Sequence, residues 1–508
     1  MARSFRRDPC LLFGQPPSVS TPWVKVLFWI YLLFLVWAYG TVSNPADPDL
    51  WHRLAVGDYL WHNHHFPLGD TFSYLPDYKF VADHEWGSAV IFYALWQLGH
   101  GTAMVVTKLL TLTITLVLVV SAGFQGRRPT VIFAAFYALV LWALHPSFAS
   151  TVRCMVFTNM FFALWLYWYQ RERHGHPVPT LFYVLTMIVW ANLHGGFVVG
   201  LLWLFMLCAL DICLQGPWKK WAVRLGLCSL ATLINPFGWD LWLATGRALV
   251  ATRRGFDEWA PVNWWTLEPS YPGYKLLLLG VLGALAIQVY RRGWKYIDPS
   301  SIILLGVFMV LALISARHTP LFALVAGALV PDFFPLKWPH ILVIGPVRRL
   351  VVMAMSSGLM LFPLYAGLWL LHEDKGLELE YPHVACPVGA VDYLEQQNIR
   401  GNILVPFNYG SYALWKLRGR MRVSMDGRYD LVYKPETYRR QDEFFNGPHK
   451  TGPSSGWGDL LTNPVPDAIL IPHSAFNYHH LERDPDHWIE AWQDSWDSIF
   501  LPVKATPR

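Results

Sequence analysis

The string Asn44-Pro45-Ala46-Asp47-Pro48-Asp49-Leu50-Trp51-His52-Arg53 holds two carboxylates at i and i+2. Such a pair can share a divalent cation, with Mg or Mn as the ions that carboxylate oxygens suit, or can supply a base to a hydroxyl. It also reads as plain helix capping, with Asp47 at the N-cap, Pro48 at the first helical position and Asp49 in the first turn. Asp49 and Arg53, one turn apart, also suit an ordinary surface ion pair. Asp83-His84-Glu85-Trp86 repeats the choice: it is either another acidic helix start with an interface tryptophan, or a second group facing the same site as Asp49. Asn192-Leu193-His194-Gly195-Gly196 has the glycines of a tight turn, but Asn and His at a membrane boundary are costly without a partner. Arg153 and the Arg317-His318 pair are cations whose natural partner at headgroup depth is a phosphate. Glu258 lies in a second polar stretch, Asp257-Glu258-Trp259-Ala260-Pro261, and His62, His64 and His65 read as a solvated loop rather than a metal site.

The elements that must position these groups follow from composition. Of 508 residues, 54% are apolar and 15% charged, and mean hydropathy is +0.30. A soluble domain carries about 25% charged residues, so this composition excludes one. Net charge is +5, from 40 Lys+Arg against 35 Asp+Glu, too small to indicate a nucleic-acid partner. Six cysteines, Cys10, Cys154, Cys208, Cys213, Cys228 and Cys386, form no disulfide or zinc spacing.

Apolar runs predict eleven membrane spans, near Trp23–Val42, Thr102–Gly123, Val131–Leu144, Thr151–Tyr169, Thr180–Asn192, Phe197–Leu214, Trp221–Ile234, Tyr274–Tyr290, Ser301–Ser315, Leu321–Phe334 and Val347–Leu371. Arg3, Arg6 and Arg7 precede the first run, which has no small-residue cleavage site and is read as a retained span. Basic clusters at Arg127-Arg128, Arg171 to Arg173, Lys219-Lys220, Arg291-Arg292 and Arg348-Arg349 then share one side with the N-terminus, which the positive-inside rule makes cytoplasmic. An odd count puts the C-terminus outside. Trp86 to Leu98 is too short for a span, and counting it would invert every later cluster, so it is expected to lie in the outer interface.

The expected fold is an α-helical polytopic membrane protein of about eleven transmembrane helices, residues 1–371, with outer loops at 43–101 and 235–273. A charged, Pro- and Gly-rich tail, 372–508, is expected to form a small extracytoplasmic α/β domain. Its strands are placed at Asn402–Pro406, Arg422–Met425, Ala468–Pro472 and Ser498–Val503, with a helix at Tyr409–Leu417. Met425-Asp426-Gly427-Arg428-Tyr429 reads as a strand-ending turn.

A first span, an acidic outer loop with an Asp motif, a many-span body and an outer α/β tail together resemble the GT-C class of membrane glycosyltransferases. That class includes protein mannosyltransferases, aminoarabinose transferases and oligosaccharyltransferases. The residue-level match is Asp47-Pro48-Asp49, where protein mannosyltransferases have adjacent Asp-Glu. The Trp-Trp-Asp signature of oligosaccharyltransferases is replaced by Trp264-Trp265-Thr266. The chain is also similar to uncharacterised bacterial members with an Asp-Gly-Arg-Tyr tail.

The resemblance implies a multi-pass protein of a bacterial inner membrane. It would move a sugar with inversion from a polyprenyl-phosphate carrier, at the outer face, to a glycan, lipid or protein acceptor, with membrane lipids as further partners. On that reading Asp49 is the base or, with Asp47, a metal ligand, and Glu85 is the second catalytic carboxylate. Arg153 and Arg317 neutralise the leaving phosphate. His52, Arg53, His84, Asn192, His194, Glu258 and His318 line the substrate site. Two other classes compete: a non-catalytic scaffold or a transporter of lipid-linked glycans, which would want polar groups at mid-membrane, and a membrane metalloprotease, for which a His-Glu-x-x-His string is missing.

Overall fold

The computed structural model describes residues 22–503 except 68, 79–80, 126–129, 150–151, 251–256, 266–270, 295–296, 449–455 and most of 334–375. Its membrane part is a helical body. Helix α1 (Pro22–Thr41) leads through the first loop and helix α2 (Pro48–Asn63) to α3 (Trp86–Phe124), followed by α4 (Val131–Leu144), α5 (Met155–Arg173), α6 (Thr180–Leu193), α7 (Phe197–Cys213), α8 (Trp218–Ala231) and α9 (Asp240–Val250). Helices α10 (Pro272–Arg292), α11 (Pro299–Ile314) and α12 (Thr319–Leu329) complete it. Helices occupy ten of the eleven expected spans, and Val347–Leu371 falls largely outside the described residues. Among the described residues, α1, α3 and α10 are long and apolar enough to cross a membrane by themselves, while α4, α6, α7 and α11 are shorter apolar helices.

Helix α3 is interrupted. Gly99 and His100 leave helical dihedrals, with His100 at φ 47°, ψ −134°, so Trp86 to Leu98 is a separate segment from the long apolar run that follows. Helix α2 lies against that segment through Gly57, where a Cβ would come within 2.2 Å of the Ala89 carbonyl oxygen. Close backbone approach is what demands glycine there.

The body has two polar ends. At one, Glu172 holds Arg224 at 2.7 Å and Lys220 at 3.0 Å, and Arg173 pairs with Asp298 at 2.9 Å. At the other lie Asp47, Asp49, Arg153 and Glu258. Helix α5, 19 residues, separates Arg153 from Arg173 and spans about 28 Å at 1.5 Å per residue, close to the ~30 Å of a hydrocarbon core.

The tail contains helix α13 (Val388–Gln396), β1 (Gly401–Leu404), α14 (Phe407–Lys416), β2 (Met421–Val423), α15 (Pro435–Asn446), β3 (Ala468–Pro472), α16 (Tyr478–Glu482), β4 (Trp488–Gln493) and β5 (Asp497–Pro502). Its sheet runs β2-β1-β3-β5-β4, with β1 parallel to both neighbours and β5 antiparallel to both of its own. Strand alternation divides the side chains between two faces. Ile403, Leu470 and Ile499 join the large core that runs into the membrane body, whereas Leu404, Ile469, Ile471 and Phe500 pack with Phe444 and Phe445 of α15.

The tail also rests on the first outer loop rather than standing apart from it. The Val423 amide donates to the Phe72 carbonyl at 3.0 Å and the Tyr74 amide to the Val423 carbonyl at 3.1 Å, extending the sheet past β2. Helix α14 packs on α2, with Tyr412 edge-on to the fully buried Trp51 at 5.2 Å.

Four elements of the tail, α13, α15, α16 and β4, are not expected from the sequence, and two of them show why. Strand β4 is an edge strand with a register shift between Glu490 and Trp492, which breaks the alternation a strand would show in sequence. Helix α15 is a strongly polar helix with a narrow buried stripe, Phe444 and Phe445 included, and gives no apolar run to find.

Candidate active site

Helix α2 begins as its sequence demands. Asp47 is the N-cap in extended backbone, its Oδ1 accepts the Asp49 amide at 3.0 Å, and Pro48 follows. Its other oxygen, Oδ2, takes Arg153 Nε at 2.9 Å. Both oxygens of Asp47 are therefore committed, and its side chain is only 5% exposed. Asp49, one residue into the helix, has a side chain 47% exposed and meets Arg153 Nη2 at 3.4 Å.

Arg153 sits just before α5 and is the hub. Its third nitrogen, Nη1, reaches Glu258 Oε2 at 3.1 Å, and Glu258 Oε1 in turn meets Arg317 Nη1 at 3.0 Å. The Arg317 guanidinium also lies over the Trp259 ring, 4.6 Å from its centroid. Asp49, Arg153, Glu258 and Arg317 thus form one continuous run of ion pairs, though they are distributed over more than 260 residues of chain. Arg317 and Glu258 border a cavity of about 450 Å³ whose other walls include His145, Tyr271, Trp142 and Met155. That size falls in the range of about 300–1,000 Å³ typical of small-molecule sites.

A second, buried network lies beneath. Arg53 is 3% exposed; its Nη1 binds both oxygens of Asp83, one at 2.7 Å, and its Nη2 meets Glu85 Oε2 at 2.9 Å. The expected Asp49–Arg53 pair is replaced by these contacts. Glu85 Oε1 meets His194 Nε2 at 3.2 Å. Burial opposes ionisation of Glu85, but the Arg53 guanidinium outweighs it and holds the carboxyl well below the usual range. Both oxygens of Glu85, expected as the second catalytic carboxylate, are thus engaged by Arg53 and His194.

The tautomer of His194 follows from its neighbours. Its Nδ1 accepts the Gly196 amide at 3.0 Å and lies 2.7 Å from the Thr158 hydroxyl, so the proton resides on Nε2 and points at Glu85. Gly196 is required here, because a Cβ would come within 2.2 Å of Thr158 Oγ1.

Other residues expected to touch substrate make local contacts. Asn192 accepts from Trp86 Nε1 at 2.9 Å and donates to the Ile188 and Ile234 carbonyls. His84 packs against Gly195 with Nε2 3.8 Å from Glu85. His318 Nδ1 lies 3.2 Å from the Leu311 carbonyl oxygen. His52 is 1% exposed, and its Nδ1 lies 3.2 Å from Ser411 Oγ of α14.

Ser411 also accepts the Gly427 amide at 2.9 Å, and Gly427 is the residue that sequence reasoning passed over. A Cβ there would lie 2.8 Å from His52 Nδ1 and 2.9 Å from Asp49 Oδ1. The turn that carries it is rigid: Asp426 and Asp70 both bind Arg428, at 2.7 and 2.6 Å, and Tyr433 donates to Asp426 at 3.0 Å. Burial of Asp426 is outweighed by Arg428, and its carboxyl is pulled down to about 2. The only signal in sequence was the Asp-Gly-Arg-Tyr string itself. Gly427→Ala is expected to push Asp49 aside and lower turnover by roughly 10- to 100-fold while the protein still folds, since misplacement by an ångström costs about that much. Unchanged turnover in this variant would detach the tail from the site.

Burial pushes His52 down to about 4 and His194 to about 3. Both are neutral when folded, whereas free imidazole titrates near 6.5. The unfolded chain therefore binds more protons below that value, and stability is expected to fall as pH drops from about 6.5 towards 4. His194→Gln should flatten the decline in a series of melting curves; a slope identical to wild type would contradict it.

At α2 the Arg153 guanidinium faces both carboxylates expected to share a cation, Asp47 at 2.9 Å and Asp49 at 3.4 Å.

No family model matches the sequence, and no curated protein does. Solved structures do. The chain superposes on ArnT from Cupriavidus metallidurans bound to undecaprenyl phosphate with a TM-score of 0.55, 13% identity, 96% of this chain and 100% of that one covered. The likeness is one of fold. Arabinofuranosyltransferase AftD from mycobacteria is similar over 95% of this chain, with TM-score 0.53 and 16% identity, and its R1389S mutant over 96%, with TM-score 0.55 and 15% identity. The chain spans 40% of the length of AftD and the whole of ArnT. The apolar helices and these neighbours together make it a multi-pass membrane protein.

Proposed function

We propose that the protein transfers a sugar from a polyprenyl-phosphate carrier to an acceptor hydroxyl at the outer face of a bacterial inner membrane. The observation that carries this is the ion-pair run that starts at the exposed carboxylate of Asp49 and ends at Arg317 beside the cavity. A base and a phosphate counter-charge are thereby held at one end of the helical body. The likeness to ArnT, solved with undecaprenyl phosphate, supports a donor of that kind.

In the proposed step Asp49 takes the hydroxyl proton as the acceptor oxygen bonds to the anomeric carbon, and the bond from that carbon to the phosphate oxygen breaks on the opposite face. The electron pair leaves with the polyprenyl phosphate, whose charge Arg317 and Arg153 neutralise. Glu258 bridges the two guanidiniums before the phosphate arrives. The tail lies at the same end of the body as this site and opposite Arg173 and Lys220, which supports an extracytoplasmic tail under the positive-inside rule.

The reading is tested with the protein in lipid nanodiscs. Undecaprenyl phosphate is expected to bind, and Arg317→Gln to weaken binding roughly 10- to 100-fold, the scale of one charged hydrogen-bonding group at about 1.5–3 kcal/mol. Absence of saturable binding to the wild type would remove the lipid-phosphate donor. A transporter of lipid-linked glycans would also bind the lipid, but would show no transfer to any acceptor.

A further inference from the structure

We propose that His383, Asp494 and Asp497 form a binding site for a divalent transition-metal ion of the Zn²⁺ class, on the tail and separate from the candidate active site. His383 belongs to the segment that enters the tail, Asp494 to the turn between β4 and β5, and Asp497 opens β5. One ligand atom from each lies within 4.8 Å of the other two.

The proximity is given meaning by unsatisfied atoms. Asp497 is fully buried; its Oδ1 accepts the Tyr409 hydroxyl at 3.0 Å, but its Oδ2 has no hydrogen-bond partner. His383 Nε2 lies 2.9 Å from that oxygen, off the axis a hydrogen bond requires, and is itself buried and unpartnered. A buried polar atom left without a bond is costly, and two of them face each other here. Two ligands held at about 2.0–2.1 Å from one zinc ion, at an angle near a right angle, lie about 3 Å apart without sharing a proton. The observed separation of 2.9 Å is close to that value.

The third ligand is also prepared. Asp494 Oδ1 accepts the amides of Trp496 and Asp497, both at 2.8 Å, which fixes the carboxyl while leaving Oδ2 free of those bonds. Trp496 covers the His383 ring at 5.2 Å between centroids. One imidazole and two carboxylates suit Zn²⁺, which binds such sites more tightly than Mn²⁺, and exposed Asp494 leaves room for a water as fourth ligand. Bound there, the ion would fasten the incoming segment to the β4–β5 hairpin.

The test uses the full chain in detergent, stripped with a chelator and titrated with Zn²⁺ by calorimetry, with Co²⁺ as a visible probe. One equivalent is expected to bind saturably and to raise the melting temperature. Asp494→Asn, at an exposed turn, is expected to weaken binding at least ten-fold and to abolish the thermal shift, and His383→Gln to do the same. Should His383→Gln fail to fold, Asp494→Asn decides by itself. Wild type and Asp494→Asn binding Zn²⁺ equally, or neither binding it, would overturn the site and leave an ordinary His–Asp ion pair. Both readouts are independent of sugar transfer, so this result stands or falls apart from the transferase reading.

Discussion

Asp49→Asn is expected to leave the protein folded and abundant while sugar transfer falls by roughly 100-fold or more, the usual scale for losing a general base. The substitution is nearly isosteric and the side chain is half exposed, so no buried group is left unpaired. The helix start survives as well, because the cap is Asp47 and not Asp49. Binding of undecaprenyl phosphate should be retained, as Arg317 and Arg153 remain, and this separates lost chemistry from a lost donor. Asp47→Asn is the informative companion: Asn caps as well as Asp, but the substitution removes the charge facing Arg153 Nε, so a moderate loss is expected through displacement of Arg153. Transfer by Asp49→Asn at the wild-type rate would eliminate Asp49 as the base. With Glu85 closed off by Arg53 and His194, Glu258 would be the next carboxylate to test.

Arg53→Met should produce the largest loss of stability. One buried guanidinium compensates two carboxylates, Asp83 and Glu85, and removal of one partner from a buried ion pair costs about 3–5 kcal/mol because the remaining charges cannot be solvated. The effect should reach the site without any contact to substrate: Asp83 and Glu85 begin the segment on which α2 rests, and Glu85 orients His194. Thermal unfolding in detergent is the measurement, with a lowered midpoint expected. Adding Glu85→Gln to Arg53→Met should recover part of the loss by discharging one stranded carboxylate. An unchanged midpoint in the single variant would show that Arg53 is a surface pair after all.

What the sequence determined by itself is whatever depends on short-range periodicity and on residue type. Apolar runs long enough to span a bilayer marked the helices, Asp-Pro marked the start of α2, and alternating strands marked most of the tail's sheet. Arg153 and Arg317 stood out because basic residues away from the cytoplasmic loops have no explanation in topology. Spacing along a chain tells which residues share a face of one element, but not which element lies opposite. Tertiary structure therefore decided that Arg153 bridges Asp47 and Asp49, that Arg53 turns to Asp83 and Glu85, and that Gly427 closes over Asp49 from 378 positions further along the chain. The three acidic residues Asp47, Asp49 and Glu85 are chemically alike in sequence. They are separated in role by which of them burial and a neighbouring cation leave with an open oxygen, and that depends on contacts between distant elements.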